Sequence, residues 1–231
     1  MKLAVFDFDG TLSPQDTLPF LLKEWKKFHY PRMKRYLVYV SVSGLYLRYK
    51  LGKGSREEIR KEGMRKFSRI FSGMGKKEFR EFLQRSSQDI MPELSKALLK
   101  ELKKVKAAGY HTVLLSGCYE TFLKYVGEAI GIDTVIGTEV HYLNGQVDMA
   151  SPMNIVSGEA KNERLRAFFA EKGVDWAGSV AYADSMSDVG ILEMVGKPVA
   201  VHPEEELRKV AQERNWRIIE EQKQRIPAKK R

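Results

Sequence analysis

Cysteine is almost absent from the chain, because Cys118 is the only one among 231 residues. One thiol excludes an intrachain disulfide framework and a metal site built from several cysteines of one chain. No local arrangement supplies a histidine to activate Cys118, and small buried cysteines are common, so we interpret this residue as structural. Histidine is scarce too, and the four that occur lack metal-ligand spacing. The composition therefore gives no support to redox or thiol chemistry.

Long apolar runs are also missing. No segment approaches the roughly 20 uncharged apolar residues that a membrane-spanning helix needs, and the apolar stretch near the start of the chain is too short for a secretory signal. Hydrophobic residues make up 43% and charged residues 30% of the chain, a balance typical of globular proteins. We therefore expect a cytoplasmic protein with one core domain and a smaller inserted lobe.

Acidic residues are outnumbered by basic ones, 30 against 40, which gives a net charge of +10. A positive surface attracts phosphate esters, nucleic acid and acidic membranes alike, so the charge alone does not select a partner. The sequence contains no recognised nucleic-acid-binding motif, and we expect no nucleic-acid partner. A basic protein that binds nucleic acid or an anionic membrane is an alternative that we rank below an enzyme.

Short apolar runs alternate with segments of helical periodicity. Runs typical of buried parallel strands occupy 3–6, 111–115, 179–183 and 198–201. Apolar residues spaced by three and four predict helices between these runs, for example over 94–107 and 120–130. This alternation predicts a doubly wound α/β fold. In such sheets ligands bind beyond the carboxyl ends of the strands, where Asp7, Ser116 and Asp184 are expected to converge.

A long helix-rich and strongly basic stretch interrupts this alternation. We predict that residues 18–88 form an inserted helical cap and that residues 1–17 and 89–231 form the core domain. Within the cap, 36–47 is uncharged and dense in Tyr, Leu and Val. We interpret it as cap core, a dimer contact or a pocket wall, ahead of peripheral contact with an anionic membrane. Asn144-Gly145 predicts the turn of a hairpin over 138–147.

Two carboxylates, Asp7 and Asp9, stand one residue apart at the exit of the first strand. One carboxylate can attack phosphorus while the other exchanges a proton with the leaving and attacking oxygens. Because the two charges repel each other and a phosphate, the pair calls for a hard divalent cation, and Mg²⁺ prefers oxygen ligands. Asp184 is a further candidate ligand. Asp188, one helical turn later, would hold a metal-bound water or orient a neighbour.

Candidate phosphate-binding groups lie near these acids in the predicted topology. Gly10 and Thr11 allow backbone amides to turn toward a phosphate. Ser116 with Gly117 is predicted to donate further hydrogen bonds at the start of a helix, whose dipole favours an anion. Phosphoryl transfer also needs a cation opposite the metal, because charge develops on the equatorial oxygens, and Lys161 is the candidate.

Taken in order, these segments resemble the four motifs of haloacid dehalogenase-type phosphatases: Asp7-Phe8-Asp9-Gly10-Thr11-Leu12, Ser116-Gly117, Lys161, and Asp184-Ser185-Met186-Ser187-Asp188. The position of the insert, between the first and second motifs, resembles the helical-cap subgroup (subfamily IB) that includes phosphoserine phosphatases. The resemblance implies a Rossmann-like core with a parallel sheet, a helical cap, and Mg²⁺-dependent hydrolysis of a small phosphate monoester through an aspartyl-phosphate intermediate.

The resemblance also implies a role for each motif residue. Asp7 would be the nucleophile and Asp9 the general acid and base. The metal would be held by the side chains of Asp7 and Asp184 and by the backbone carbonyl of Asp9. Ser116 and Lys161 would bind the phosphoryl group.

Departures from the phosphoserine phosphatase pattern leave the substrate open. Those enzymes usually carry a glutamate that meets the substrate ammonium, and Asp16 stands at the corresponding position, where it is a candidate for cap-side specificity. Cys118 stands in place of their second glycine after the second motif. Phosphoserine, histidinol-like, sugar and lipid phosphates all stay open, as do phosphoryl transfer to an acceptor other than water and the oligomeric state. The arginine that would meet a substrate carboxylate is unassigned among Arg56, Arg60, Arg65 and Arg69.

Overall fold

The computed structural model describes residues 1–51 and 56–220. The helices are α1 (Thr17–Lys27), α2 (Arg32–Lys50), α3 (Arg56–Ser68), α4 (Lys76–Ile90), α5 (Lys96–Ala107), α6 (Glu120–Ile130), α7 (Glu159–Phe168), α8 (Val189–Met194) and α9 (Glu205–Glu213). The strands are β1 (Leu3–Phe6), β2 (His111–Tyr119), β3 (Thr134–Thr138), β4 (Tyr142–Leu143), β5 (Gln146–Val147), β6 (Val180–Ala183), β7 (Lys197–Val201) and β8 (Arg217–Ile219). Short 3₁₀ turns occupy Arg69–Phe71, Met91–Glu93 and Met186–Asp188.

Six of the strands form one parallel sheet in the order β3-β2-β1-β6-β7-β8. Alternate residues of β1 enter two separate apolar clusters, Phe6 in one and Val5 in the other. Helices α5 and α6 cover the first face with side chains such as Leu102 and Phe122, whereas α7, α8 and α9 cover the second, with Leu165 among the buried residues. The predicted α/β fold, a Rossmann-like parallel sheet flanked by helices, is confirmed.

The sheet is wider than the sequence predicts, because two further strands, β3 and β8, lie at its two edges.

The observed hairpin is shorter than the predicted one. Strands β4 and β5 pair antiparallel over two residues each, and the turn residues Asn144 and Gly145 have φ angles of 51° and 75°, as a primed turn requires. Thr138, the first residue of the predicted hairpin, instead belongs to β3.

Helices α1 to α4 follow β1 in the chain and precede α5. The end of α3 and the 3₁₀ turn after it pack against the end of β2. The rings of Phe71 and Tyr119 are 5.6 Å apart in an edge-to-face contact, and the Tyr119 hydroxyl lies 2.7 Å from Ser68 Oγ. The predicted cap, 18–88, includes residues 52–55, and the predicted core, 89–231, includes residues 221–231, all of which lie outside the described residues. The division into cap and core stays a prediction.

A buried carboxylate ties the sheet edge to α5. Glu101 is only 7% exposed, and its oxygens accept hydrogen bonds from Arg217 Nη1 at 2.9 Å, Lys104 Nζ at 2.7 Å and the Tyr182 hydroxyl at 3.3 Å. The hydrogen bond from Arg217 outweighs the effect of burial and, with Lys104, lowers the pKa of Glu101 from 4.5 to about 2. The ionised form is therefore favoured in the folded state.

We expect Glu101 to stabilise the fold at neutral pH and to lose that effect in acid. A carboxyl whose pKa is lower in the folded state stabilises it above the unfolded pKa, and the contribution disappears as pH falls from about 4.5 to about 2. Glu101→Gln should lower the free energy of unfolding by about 1–2 kcal/mol at pH 7, since solvent screens the half-exposed cations, and by almost nothing near pH 2. Urea unfolding at several pH values measures this difference. Glu213→Gln, at an exposed site on α9, is the control; an equal, pH-independent loss in both variants contradicts the prediction.

Candidate active site

The carboxyl ends of the two central strands carry the predicted acids. Asp7 directly follows β1 and Asp184 directly follows β6, its neighbour in the sheet. A cavity of about 350 Å³ opens at this edge. The predicted site residues that line the cavity are Asp7, Asp9, Asp16, Ser116, Gly117, Lys161, Asp184 and Asp188.

Three carboxylates cluster in this cavity, and two of them pair with one lysine. Asp7, Asp184 and Asp188 each offer an oxygen atom, and the three atoms lie within 4.8 Å of one another. Lys161 Nζ donates to Asp7 Oδ1 at 2.7 Å and to Asp188 Oδ1 at 2.5 Å. Burial alone would lower the pKa of Lys161, but the negative charges of Asp188 and Asp7 outweigh it and raise the pKa. The lysine therefore stays charged.

Asp7 and Asp184 are held in an environment that favours their neutral forms. Burial raises the pKa of Asp7, against the opposing charge of Lys161. Burial and then the negative charges of Asp7 and Asp188 raise the pKa of Asp184 to about 8. Such a cluster of hard oxygen donors, with more negative than positive charge, fits a divalent cation such as Mg²⁺, whose charge would favour ionised carboxylates. The donor set therefore suits the predicted metal.

The Asp9 carboxylate has a different environment from the three-acid cluster. Its Oδ1 accepts hydrogen bonds from the backbone N–H of Thr17 at 2.8 Å and from the Thr17 hydroxyl. Asp9 thus caps α1, and the side chain of the N-cap residue Asp16 makes no capping bond. Burial raises the pKa of Asp9 to about 7, opposed by the Thr17 hydroxyl and increased by the charge of Asp7. A carboxyl group that titrates near neutral pH suits proton exchange.

Gly10 and Thr11 fix the loop that follows β1. Gly10 has φ +79°, and a Cβ at this position would overlap the carboxylate of Asp184, so glycine is required both by the backbone and by space. The Thr11 hydroxyl donates to Asp7 Oδ2 at 3.2 Å and lies 3.5 Å from Asp184 Oδ1. The Thr11 amide was predicted to face a phosphate, but it donates a hydrogen bond to Phe8 O at 3.3 Å. Thr11 therefore contacts these acids through its hydroxyl and not through its amide.

The prediction that Ser116 and Gly117 begin a helix is wrong. Strand β2 continues to Tyr119, and α6 begins only at Glu120, so that both predicted residues belong to the strand. The reason is pairing: Tyr119 is in register with Thr138 of β3 after an irregularity that follows residue 115. Ser116 Oγ accepts a hydrogen bond from the Cys118 N–H at 3.2 Å. Ser116 and Gly117 still line the cavity, but without a helix dipole behind them.

The remaining predicted residues lie toward the insert. Asp16 is exposed and lines the cavity. Of the four arginines left open by the sequence, Arg60 lines the same cavity and donates from Nη1 to Ser187 Oγ at 2.9 Å. Arg65 lines a different cavity, and the side chain of Arg56 lies outside the described residues. Cys118 is buried, and burial raises the pKa of its thiol, which fits a structural residue.

Sequence reasoning did not identify Thr17 as part of the site. It is fully buried at the start of α1 and holds the Asp9 carboxylate with two hydrogen bonds. No spacing rule links positions 9 and 17, because the intervening loop decides where the helix begins. A threonine at a helix start after an acidic motif is the only signal, and it is shared by many ordinary helix caps.

Comparison with known proteins places this geometry in context. The model of the family described as haloacid dehalogenase-like hydrolase matches residues 4–193. The chain is 28% identical over 181 residues to the inhibition of morphological differentiation protein of Streptomyces azureus, covering 75% of this chain and 65% of that protein. It is 29% identical over 149 residues to the histidinol-phosphatase of Neisseria meningitidis, covering 61% of this chain and 64% of that protein. The chain thus spans a little under two thirds of these relatives' lengths.

Solved structures share the fold. A protein with unknown function from Bordetella pertussis Tohama I has a TM-score of 0.76 at 24% identity, over 95% of this chain and 98% of the other. A substrate-bound phosphoserine phosphatase complex has a TM-score of 0.66 at 19% identity, over 95% of this chain and 93% of the other. At 24% and 19% identity, these similarities support the fold alone.

Proposed function

The chain belongs to the haloacid dehalogenase-like hydrolase family, and from this premise we propose that it is a Mg²⁺-dependent phosphatase that hydrolyses a small phosphate monoester. The observation that carries the proposal is the meeting of Asp7, Asp184 and Asp188 with Lys161 in a cavity at the carboxyl ends of β1 and β6. This constellation supplies a nucleophile, oxygen ligands for a cation and a buried positive charge for a phosphoryl group.

In the proposed mechanism the two acids of the first motif divide the work. An Asp7 carboxylate oxygen attacks phosphorus and forms an aspartyl phosphate, while protonated Asp9 gives its proton to the departing alkoxide. Asp9 then takes a proton from a water molecule, which attacks the aspartyl phosphate and releases inorganic phosphate. The raised pKa of Asp9, about 7, supports both the acid and the base step. Thr17 holds the Asp9 carboxylate in place for both.

The other residues of the site bind and position charge. The side chains of Asp7 and Asp184 and the backbone carbonyl of Asp9 would hold Mg²⁺, which supplies positive charge against the phosphate and the acids. Lys161 and Ser116, with the Gly117 backbone, bind the phosphoryl oxygens. Asp188 orients Lys161 through the 2.5 Å hydrogen bond.

The insert is proposed to select the substrate. In this proposal residues 18–88 form a cap over the core made by 1–17 and 89–231. Asp16 and Arg60 present opposite charges to the cavity and would contact the leaving group. A cavity of about 350 Å³ lies at the lower end of ligand sites, which supports a small phosphate monoester and leaves its identity open. Closure of such a cap would exclude bulk water from the aspartyl phosphate.

Removal of the metal should abolish turnover. We expect EDTA to reduce phosphate release roughly a hundredfold or more, because three clustered acids without a cation repel the substrate phosphate, and added Mg²⁺ should restore it. The measurement is release of inorganic phosphate from phosphoserine, histidinol phosphate, sugar phosphates and a lysophosphatidic acid. Equal release with and without EDTA contradicts the metal assignment. Formation of a new phosphate ester with an added alcohol, in preference to free phosphate, would indicate a phosphotransferase instead.

A further inference from the structure

The positive charge of this chain is concentrated in one region. Residues 17–90 carry 19 Lys and Arg against 7 Asp and Glu, a net charge of +12, so the rest of the chain has a net charge of −2. Between residues 25 and 56 there is no acidic residue and there are nine basic ones. A segment of this length without any acid presents a single sign of charge to its surroundings.

Helix α2, in the middle of this acid-free segment, is apolar on two opposite faces. Val38 and Leu45 point inward and are almost completely buried. The opposite face is exposed, and its large apolar side chains recur at helical spacing. In the part of the chain that the structure describes, seven of the ten exposed large apolar side chains lie on or directly after α2, each between 53% and 68% exposed: Met33, Tyr36, Leu37, Tyr39, Val40, Leu47 and Leu51.

Basic side chains stand at both ends of this exposed face. Arg32, Lys34 and Arg35 lie in the first turn, and Arg48 lies near the end of α2, whereas no charged residue occurs from 36 to 47. Arg48 pairs with Glu62 of α3 at 2.7 Å and Lys34 Nζ donates to Ser72 O at 2.7 Å, so Arg32 and Arg35 carry most of the charge offered to lipid. An apolar centre with basic ends is the pattern of a helix that lies in the interface of an anionic membrane. Lysine and arginine reach the lipid phosphates while the apolar side chains enter the acyl boundary. Searched over the described residues, no helix is long and apolar enough to cross a membrane.

We propose that the outward face of α2 docks this protein on an anionic lipid surface. Two copies of the chain packed through this face would bring together two segments that lack any acid, and the like charges would repel. Nucleic acid would match the charge but would leave the apolar stripe exposed to water. An anionic bilayer matches both the basic ends and the apolar centre, and this inference does not depend on the proposed phosphatase activity.

The test is flotation of the full chain with lipid vesicles. Wild-type protein should float with vesicles of phosphatidylglycerol and phosphatidylcholine, and about tenfold less with phosphatidylcholine alone or at high salt, because both changes remove the charge attraction. Leu37→Gln/Val40→Gln/Leu47→Gln should reduce the apparent affinity for the mixed vesicles about a hundredfold, because the apolar area that enters the lipid is lost. Leu143→Gln/Phe168→Gln, at two exposed apolar sites away from α2, should bind like the wild type.

Circular dichroism and hydrolysis of a water-soluble phosphate ester keep the result interpretable, since the three α2 substitutions lie on the exposed face and should leave both unchanged. Unchanged vesicle binding by the α2 variant would overturn the proposal. So would equal binding to neutral and anionic vesicles. A dimer seen by light scattering that the α2 variant dissociates, without vesicle binding, would assign the face to a second copy. Binding of a duplex oligonucleotide that displaces the wild-type protein from vesicles, and that the apolar α2 variant binds equally well, would assign the face to nucleic acid.

Discussion

Replacing Asp7 by Asn should lower kcat for phosphate release by a factor on the order of 10⁴ or more, because the amide cannot form the covalent intermediate. The substitution preserves the shape of the side chain. It removes one of the two negative charges that pair with Lys161, and Asp188 still pairs with the lysine. The protein should therefore stay folded, and the loss should appear in kcat with much less change in the affinity for phosphate-containing ligands. Steady-state phosphate release with saturating Mg²⁺ measures it.

A matched control separates chemistry from general charge effects. Asp148 is an acid in an exposed turn, where it accepts hydrogen bonds from Ser151 and Ala150, and Asp148→Asn removes the same charge far from the cavity. This variant should retain wild-type turnover. Activity within tenfold of wild type in Asp7→Asn, from protein free of contaminating phosphatase, would remove Asp7 from the role of nucleophile.

Gly10→Ala should reduce kcat/KM by roughly 10²–10³-fold, an effect expected when a metal ligand is displaced from its position. The new methyl group would overlap the carboxylate of Asp184, so Asp184 has to move away from Asp7. The backbone at position 10 also has φ +79°, a conformation that costs an L-residue about 1–2 kcal/mol. Activity should recover partly at high Mg²⁺ concentration, because the displaced carboxylate weakens metal binding. Titration of activity with Mg²⁺ measures this.

Gly145→Ala is a close control for that experiment. Gly145 has φ +75°, and a Cβ there would meet nothing within 4 Å. The two substitutions therefore share the backbone cost, and only Gly10→Ala adds the overlap with Asp184. We expect the two variants to lose similar thermal stability. Only Gly10→Ala should also lose activity. Equal activities of the two variants would show that the contact between position 10 and Asp184 does not matter for turnover.

The central strands and their acids could be predicted from sequence because each signal is local. Apolar runs directly before Asp7 and Asp184 indicated buried parallel strands, and parallel strands deliver their carboxyl ends to one edge. The apolar pattern does not predict strand β3, because the strand is short, begins and ends with threonine (Thr134 and Thr138) and contains Gly137. That glycine is required by packing rather than by a turn, since a Cβ there would lie 2.8 Å from the Cα of Glu120.

Other features depend on contacts between segments that are far apart in the chain. Strand β8 has three residues and exists only because β7 pairs with it. The extension of β2 past Ser116 depends on pairing with β3. Without that pairing, Ser116-Gly117 after an apolar run predicts a helix start. Likewise, a helix that is apolar on all sides does not reveal which face is buried. Only the packing of α2 through Val38 and Leu45 separates its inner face from its exposed one.

The most direct test of the proposed mechanism is to look for phosphate bound covalently to Asp7. Wild-type protein mixed with a phosphate monoester that it hydrolyses in Mg²⁺ would be quenched in acid during turnover, and its peptides examined by mass spectrometry. We expect an acyl phosphate on Asp7 that hydroxylamine removes and that is absent in Asp7→Asn. It should accumulate in Asp9→Asn when the substrate is p-nitrophenyl phosphate, because that leaving group departs without a proton from Asp9 whereas hydrolysis of the intermediate still needs the base. Phosphate attached to a different residue, or continued turnover with Asp7 never modified, would contradict the proposed mechanism.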